Sequence, residues 1–159
     1  MFVCAPRYWV PGLAILGAGE VVRLAAVGHI GLPSRTRADD VGALVRSGPY
    51  GWVRNPLYLG NLLLYAGLGV VLWPSALVAV PILAVYYELI VRWEERNLAA
   101  RIGEPYRRYL AEVPRWVPRA PSRRADGAWR LATAVRSERS TLVAIGVVLV
   151  LLWLRARAG

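Results

Sequence analysis

Four apolar runs, separated by polar stretches, dominate the pattern of this chain. They cover residues 8–30, 57–73, 76–91 and 141–154. A helix needs about 20 residues, at a rise of about 1.5 Å each, to cross about 30 Å of hydrocarbon. The first three runs predict membrane-spanning helices; the fourth either spans with its flanking residues, re-enters or lies at the interface. The pattern predicts an all-α, polytopic membrane bundle forming a single domain over residues 1–159.

The second and third runs are joined by the tripeptide Trp73-Pro74-Ser75. A proline disfavours helix at the residue before it, and tryptophan favours the membrane interface. The tripeptide predicts a tight turn in a helical hairpin, and Pro81 predicts a kink in its second helix. Two crossings return the chain to the face that it left. We therefore expect the polar stretches before and after the hairpin to meet at one membrane face.

An interrupted amphipathic pattern follows the hairpin, from residue 92 to residue 112. Apolar side chains recur there three or four residues apart, at Leu98, Ile102, Tyr106, Tyr109 and Leu110. Gly103 divides the stretch, so one helix and two short helices around a turn both remain open. Two prolines exclude regular helix in residues 113–118, which we expect to be extended and to cap a site. Residues 119–140 are basic and are predicted to be weakly structured.

Composition and charge agree with a membrane protein. Hydrophobic residues make up 57% of the chain, and about half is usual for a soluble domain. The formal net charge is +10, and all 20 basic residues are arginine. Because these arginines flank the apolar runs, they indicate topology and contact with anionic headgroups rather than binding to nucleic acid. One cysteine and one histidine exclude an intrachain disulfide and a metal site rich in cysteine or histidine.

The arginines also predict orientation, since short cytoplasmic loops carry an excess of positive charge. The connection between the first two runs contains four of them: Arg35, Arg37, Arg46 and Arg54. The region after the third run contains still more, whereas the turn at Trp73 contains none. We therefore expect both polar stretches to face the cytoplasm, with the protein in the inner or plasma membrane.

The first candidate for chemistry is a polar and aromatic patch that leads into the second run. Asn55 and Pro56 form a helix start, with asparagine as N-cap and proline in the first turn, and this structural role is sufficient to explain both. Alone, Arg54, Tyr50 and Tyr58 would be snorkelling or interfacial side chains. Their expected meeting with a second polar patch makes them candidates for a binding site.

The second patch contains the adjacent carboxylates Glu94 and Glu95. Neighbouring helical residues point about 100° apart, so at most one of the two faces a given site squarely. Pairing with nearby arginines on a solvated face is the structural alternative for both. Glu88 lies deeper in the third run, where a carboxylate is a functional candidate by default, although Arg92 lies at i+4 and can pair with it.

Other polar or small residues within the runs have structural interpretations. Glu20 and Arg23, at i and i+3 in the first run, are expected to pair with each other. His29 lies near a helix end and is interpreted as structural. Gly67 and Gly69 permit close approach of a helix or a ligand. The chain contains no dinucleotide-binding fingerprint, phosphate loop, nucleophile elbow or zinc-spaced motif.

Together these motifs resemble the isoprenylcysteine carboxyl methyltransferase and phospholipid methyltransferase superfamily of small integral membrane enzymes. The resemblance covers about residues 45–118 and leaves 119–159 as an extension with a further hydrophobic helix. It rests on the hairpin and on an ordered set of motifs: Gly48-Pro49-Tyr50, Arg54-Asn55-Pro56-x-Tyr58-x-Gly60, Glu94-Glu95-x-x-Leu98, Gly103-x-x-Tyr106-x-x-Tyr109 and Val113-Pro114-Arg115-Trp116-x-Pro118. Asn55 stands where many members have histidine.

The resemblance implies methyl transfer from S-adenosylmethionine, bound from the cytoplasm, to a lipophilic acceptor that enters from the bilayer. It implies that Arg54 holds the cofactor carboxylate, that Glu94 or Glu95 accepts its ribose hydroxyls or ammonium, and that Arg54 and Glu94 are the catalytic candidates. The other implied cofactor-binding residues are Tyr50, Asn55, Pro56, Tyr58, Gly67, Gly69, Tyr106 and Tyr109.

The implied acceptor is an isoprenylcysteine carboxylate, a phospholipid amine or a related small lipid. Neither a metal nor a nucleic acid is implied, and no protein partner is required. Membrane lipids are the expected partners of the chain.

Two alternatives stay open. The C-terminal part of sterol and steroid reductases is similar, with an Arg-x-Pro-x-Tyr element, a two-span hairpin and an acidic pair, and those enzymes use NADPH. Here the acidic pair is Glu-Glu rather than Asp-Glu, and Tyr106 stands where tryptophan is frequent, which favours methyl transfer. The third interpretation is a non-catalytic membrane protein that retains the fold.

Overall fold

The computed structural model describes residues 6–30, 44–120 and 127–158. Within these ranges the chain forms five α-helices: α1 Trp9–Ile30, α2 Pro56–Val71, α3 Ala76–Ile102, α4 Glu104–Glu112 and α5 Leu131–Ala158. Short 3-10 helices at Pro6–Tyr8 and Gly48–Gly51 complete the regular structure of the described residues, which contain no strand. The predicted all-α architecture is confirmed.

Three of the described helices are long and apolar enough to cross a membrane: α1, α3 and the segment Leu131–Arg157 of α5. The fourth apolar helix, α2, has 16 residues, which is about 24 Å of helix at about 1.5 Å per residue. The chain is therefore an integral membrane helical bundle.

Glycines bring α1 and α2 into close contact. Gly12 of α1 meets Gly67 near the end of α2, whereas Gly19 meets Gly60 near its start, so the two helices run antiparallel. A Cβ atom on Gly12 would lie 2.8 Å from the Gly67 carbonyl oxygen, and one on Gly19 would lie 2.8 Å from the Gly60 carbonyl oxygen. Small residues at membrane helix interfaces permit this approach. The contact fixes where the start of α2 lies.

The hairpin between α2 and α3 turns at residues 72–75, as the tripeptide predicts. α3 then continues through Pro81 to Ile102, well beyond the predicted end of the third run at residue 91. The helix ends at Gly103, whose φ of 77° is positive, which glycine tolerates because it has no Cβ atom. The first half of the amphipathic stretch is thus the C-terminal end of the long helix α3.

α4 follows Gly103 and packs back on α3. Tyr106, Tyr109 and Val113 form a buried cluster, and the partly buried side chains packed against it include Leu98, Ile102 and Leu110. The predicted apolar face is therefore confirmed, with its break at Gly103. Residues 113–118 are not helical, as expected from their prolines.

α5 begins ten residues before the fourth apolar run. Residues 131–140 are helical rather than weakly structured, so the prediction for that part of 119–140 is wrong. The reason is a tertiary contact: Ala134 and Glu138 are fully buried, and the Arg130 amide donates to the Gly28 carbonyl of α1 at 3.1 Å. Arg35, Arg37 and residues 121–126 lie outside the described residues.

Arg23 links α1, α2 and α5 through a buried polar cluster. Its Nη2 lies 2.5 Å from Glu138 Oε2 of α5, and its Nε lies 3.8 Å from Glu20 Oε2. The guanidinium also donates to the Asn61 side chain of α2. The predicted pairing of Glu20 with Arg23 is confirmed, and the structure adds Asn61 and Glu138. One arginine therefore holds three helices together inside the apolar bundle.

Replacement of Arg23 by methionine should lower the free energy of unfolding by about 3–5 kcal/mol, because it leaves Glu20 buried without its ion-pair partner and breaks the contact with Glu138. Chemical unfolding in mixed micelles would measure the loss. Arg139→Met, at an exposed position of α5, is the matched control and should change stability little. Equal losses in the two variants would contradict the role of Arg23.

Candidate functional site

The hairpin brings the two polar patches together. Tyr58 Oη donates to Glu94 Oε1 at 2.9 Å, and Asn55 Nδ2 donates to Glu95 Oε1 at 3.3 Å. Arg54 Nε forms an ion pair with Glu95 Oε1 at 3.1 Å. The residues before α2 therefore meet the end of α3, as the two crossings predict.

The start of α2 explains how Asn55 joins this cluster. Pro56 is the first helical residue, and the Asn55 carbonyl accepts the Leu59 amide at 3.0 Å, so the predicted helix start is confirmed. The Asn55 side chain makes no capping hydrogen bond and instead reaches Glu95. Asn55 is thus the N-cap residue by position, but its side chain does not cap the helix, and its amide belongs to the site.

Glu95 is the centre of the cluster. It is 5% exposed, and two nitrogens of Arg115 donate to its Oε2, Nη2 at 2.7 Å and Nε at 3.1 Å. Arg54 and Asn55 contact the other oxygen. Pairing on a solvated face, the structural alternative for Glu95, is therefore wrong. Charge-assisted hydrogen bonds from Arg115 and the ion pair with Arg54 hold this carboxylate in one position.

Residues 113–118, the capping segment, supply side chains that sequence reasoning did not assign to the site. Arg115 Nη1 donates to Glu88 Oε1 at 2.7 Å, and Trp116 Nε1 donates to Glu88 Oε2 at 2.6 Å. Arg92 also contacts Glu88, at 2.6 Å, as its i+4 spacing predicts. The hydrogen bond to Glu95 raises the pKa of Arg115, which stays cationic. The sequence contained one signal for this role, namely an arginine next to a tryptophan in a segment that was expected to cap a site.

Arg54 is occupied by protein contacts. Besides its ion pair with Glu95, its Nη1 donates to the Leu110 carbonyl at 2.7 Å. Its backbone amide donates to the Pro114 carbonyl at 2.9 Å. Arg54 thus joins the start of α2 to the end of α4 and to the capping segment. Its assignment to a cofactor carboxylate stays a prediction.

The predicted tyrosines divide into two groups. Tyr58 contacts Glu94, whereas Tyr50, Tyr106 and Tyr109 are buried. Tyr109 Oη donates to the Tyr50 carbonyl at 2.8 Å and so fastens α4 to the turn at Gly48–Gly51. Burial, followed by the charge of Glu95, raises the pKa of Tyr106 to about 12. Burial also raises the pKa of Tyr109.

Gly67 and Gly69 lie far from this cluster. Gly67 is twelve residues beyond Asn55, which is about 18 Å along α2. It packs against Gly12 and Leu16 of α1, and Gly69 packs against Ala76 at the start of α3. The structure thus gives both glycines a helix-packing role and does not bring them to the acidic pair.

A cavity of about 550 Å³ opens beside Glu95, and we call it the arginine cavity. It is lined by Arg92, Glu95, Arg96, Ala99, Leu110 and Arg115. The spacing of the four α3 residues places them on one helix face. Small-molecule sites commonly measure about 300–1,000 Å³. Of the predicted site residues, only Glu95 lines this cavity. Arg54 and Asn55 do not line it, but both contact Glu95.

The fold and this site define a class: small helical membrane proteins with a polar site where a helical hairpin meets a capping segment. The chain belongs to the phospholipid methyltransferase family, whose sequence model matches residues 7–104. The resemblance based on the motifs is confirmed, and the match also takes in α1, which the motifs covered only loosely.

Two curated relatives are similar to parts of the chain. It is 34% identical over 123 residues to the cobalt-zinc-cadmium resistance protein CzcN of Cupriavidus metallidurans, covering 76% of this chain and 56% of CzcN. It is 31% identical over 91 residues to phosphatidyl-N-methylethanolamine N-methyltransferase of Saccharomyces cerevisiae, covering 53% of this chain and 43% of the yeast protein. The chain spans about half the length of these relatives. No solved structure matches it.

The titration of Tyr106 predicts how stability depends on alkaline pH. Since its pKa in the folded protein, about 12, exceeds the ordinary value of about 10, its contribution to stability is complete below pH 10. That contribution is lost as the pH rises towards about 12. Tyr106→Phe should therefore lose less stability than the wild type over this interval.

Unfolding in detergent at a series of alkaline pH values would test this. Tyr65→Phe, at an exposed tyrosine, is the control and should follow the wild-type profile. A Tyr106→Phe profile identical to the wild type would show that Tyr106 does not titrate in this way.

Proposed function

We propose that the chain is an S-adenosylmethionine-dependent methyltransferase that acts on a lipophilic acceptor in the membrane. The observation that carries the proposal is the meeting of Glu94 and Glu95 with the segment 54–58 beside the arginine cavity, in a chain of the phospholipid methyltransferase family. The family membership favours methyl transfer over the reductase alternative.

The lining of the arginine cavity fits this cofactor in kind. S-adenosylmethionine carries an anionic carboxylate, cationic groups, ribose hydroxyls and a flat adenine ring. The cavity offers arginines, the carboxylate of Glu95 and apolar surface from Ala99 and Leu110. Its volume lies within the usual range for ligand sites. A zwitterionic, partly aromatic ligand therefore has a partner for each of its parts.

We assign the acidic pair to the cationic or hydroxyl groups of the cofactor. In this proposal Arg54 positions Glu95 and does not bind the cofactor itself, because two of its nitrogens already contact Glu95 and Leu110. Asn55 acts on Glu95 in the same way. The buried tyrosines and Pro56 contribute to the packing around the site. Gly67 and Gly69 remain candidates for cofactor binding from the resemblance alone.

The work of the protein in such a reaction is alignment, exclusion of water and proton handling. S-adenosylmethionine supplies, when bound, an already activated methyl group. Alignment of donor and acceptor lowers the barrier by making the encounter effectively unimolecular. An ammonium acceptor must lose a proton before its nitrogen can attack. We propose that the Glu94 carboxylate, held by Tyr58 Oη, takes that proton as general base.

Among lipophilic acceptors, a phospholipid amine has the most support. The family is described as phospholipid methyltransferase, and the yeast relative is named for phosphatidyl-N-methylethanolamine. An isoprenylcysteine carboxylate or another small lipid would reach the site by the same lateral route. Exposed apolar side chains cover α3 and α5, including Leu89 and Leu151, as expected for helices that face lipid.

The proposed location is the inner or plasma membrane, with the site facing the cytoplasm. Arg46 and Arg54 precede α2 on the side of the site, and further arginines follow α3 there. The turn at 72–75, at the other end of the hairpin, contains none. This asymmetry supports a site on the positively charged, cytoplasmic side. Membrane lipids are the proposed partners, and the proposal requires neither nucleic acid nor another protein.

Calorimetry on the detergent-solubilised protein should show binding of S-adenosylmethionine. Arg54→Ala should weaken this binding at least tenfold, because Glu95 loses an ion-pair partner. Glu94→Gln should also weaken it, because the variant lacks a carboxylate that is proposed to contact the cofactor. The control is Glu104→Gln, on an exposed side chain of α4 that pairs with Arg108, and it should retain wild-type affinity.

The outcomes separate the function from the site. Unchanged affinity in both Arg54→Ala and Glu94→Gln would remove the site assignment. A wild-type protein that binds no S-adenosylmethionine would remove the function. Thermal stabilisation by NADPH but not by S-adenosylmethionine would establish the reductase alternative instead.

A further inference from the structure

Arg96 differs from the other arginines of the arginine cavity. Arg92 contacts Glu88, and Arg115 contacts both Glu88 and Glu95. Arg96 lines the same cavity and forms no ion pair or side-chain hydrogen bond within residues 6–30, 44–120 and 127–158. It is also exposed. Arg96 is therefore a cation that faces the cavity with its hydrogen-bonding groups available.

The surrounding charges make this position suited to an anion. Arg92 and Arg96 are one turn apart on α3, and like charges at this spacing repel each other. Arg115 adds a third guanidinium to the same lining. In this lining and its ion pairs only two carboxylates, Glu88 and Glu95, offset four arginines, Arg54, Arg92, Arg96 and Arg115, so positive charge is left in excess at Arg96. A bound anion would relieve the repulsion and match the unpaired charge.

We propose that Arg96 binds the anionic group of the ligand in this cavity, a carboxylate or a phosphate. The inference rests on the proposed function, in which the methyl donor carries a carboxylate and a phospholipid acceptor carries a phosphodiester. A guanidinium binds either group through charge-assisted, bidentate hydrogen bonds. For the donor carboxylate, Arg96 takes the role that the resemblance implied for Arg54, since Arg54 is held by Glu95 and Leu110.

Arg96→Gln tests the proposal, with Arg101→Gln as the matched control. Arg101 is also exposed on α3, forms no ion pair within the described parts of the chain, and does not line the cavity. Calorimetry in an uncharged detergent would compare three probes: S-adenosylmethionine, its decarboxylated form and lysophosphatidylethanolamine. Thermal unfolding of each variant would verify that the exposed substitutions leave the fold intact.

The probes distinguish the two sources of the anion. If Arg96 binds the donor carboxylate, Arg96→Gln weakens the binding of S-adenosylmethionine at least tenfold. The decarboxylated form then binds to the variant and to the wild type with equal affinity. If Arg96 binds the lipid phosphate, Arg96→Gln weakens the binding of lysophosphatidylethanolamine at least tenfold and leaves the affinity for S-adenosylmethionine unchanged. In either case Arg101→Gln stays within about twofold of the wild type for all probes.

Three results would overturn the proposal. Arg96→Gln could bind every probe as the wild type does, or Arg101→Gln could show the same loss, which would indicate a general effect of surface charge. A wild-type protein that binds none of the probes would contradict this proposal and the proposed function together. Loss of lysophosphatidylethanolamine binding in Arg96→Gln, with no cofactor binding to the wild type, would support the anion site and remove only the methyltransferase assignment.

Discussion

The buried carboxylate of Glu95 is the constraint on which the site depends. A charge withdrawn from water must be paired and hydrogen-bonded, and here Arg54, Asn55 and Arg115 meet that requirement. The three partners come from the segment before α2 and from the capping segment, so pairing Glu95 draws both onto α3. Arg54 extends the contact to the Leu110 carbonyl. The arginine cavity lies where these elements converge.

A second buried ion pair gives this arrangement a rigid base. Arg23 ties α1 to Glu138 of α5 and to Asn61 of α2, and the glycine contact sets the register of α1 on α2. Tyr58 and Asn61 lie three residues apart on α2, which places them on neighbouring positions of one face. One face of α2 therefore carries polar contacts to α3 and to the Arg23 cluster. The two buried clusters together position the start of α2.

Local signals made the hairpin and the meeting of the patches predictable, because apolar runs, a proline turn and Gly103 each act within a few residues. The early start of α5 depends on burial of Glu138 against Arg23, and no periodicity within 119–140 reports a partner more than a hundred residues away. The roles of Arg115 and Asn55 also arise from tertiary pairing with Glu95. The sequence allows Gly67 to contact either a helix or a ligand. Its packing against α1 in the structure shows the helix contact.

In the proposed function, this site transfers a methyl group to a lipophilic acceptor. The most direct measurement is to incubate membranes containing the protein with S-adenosylmethionine labelled in its methyl group, and then to separate the extracted lipids. Methyl transfer by this site predicts label in amine-containing phospholipids, and loss of that label when the Glu94→Gln variant replaces the wild type. Lipids without label above that of membranes lacking the protein, or equal labelling by the Glu94→Gln variant, would contradict it.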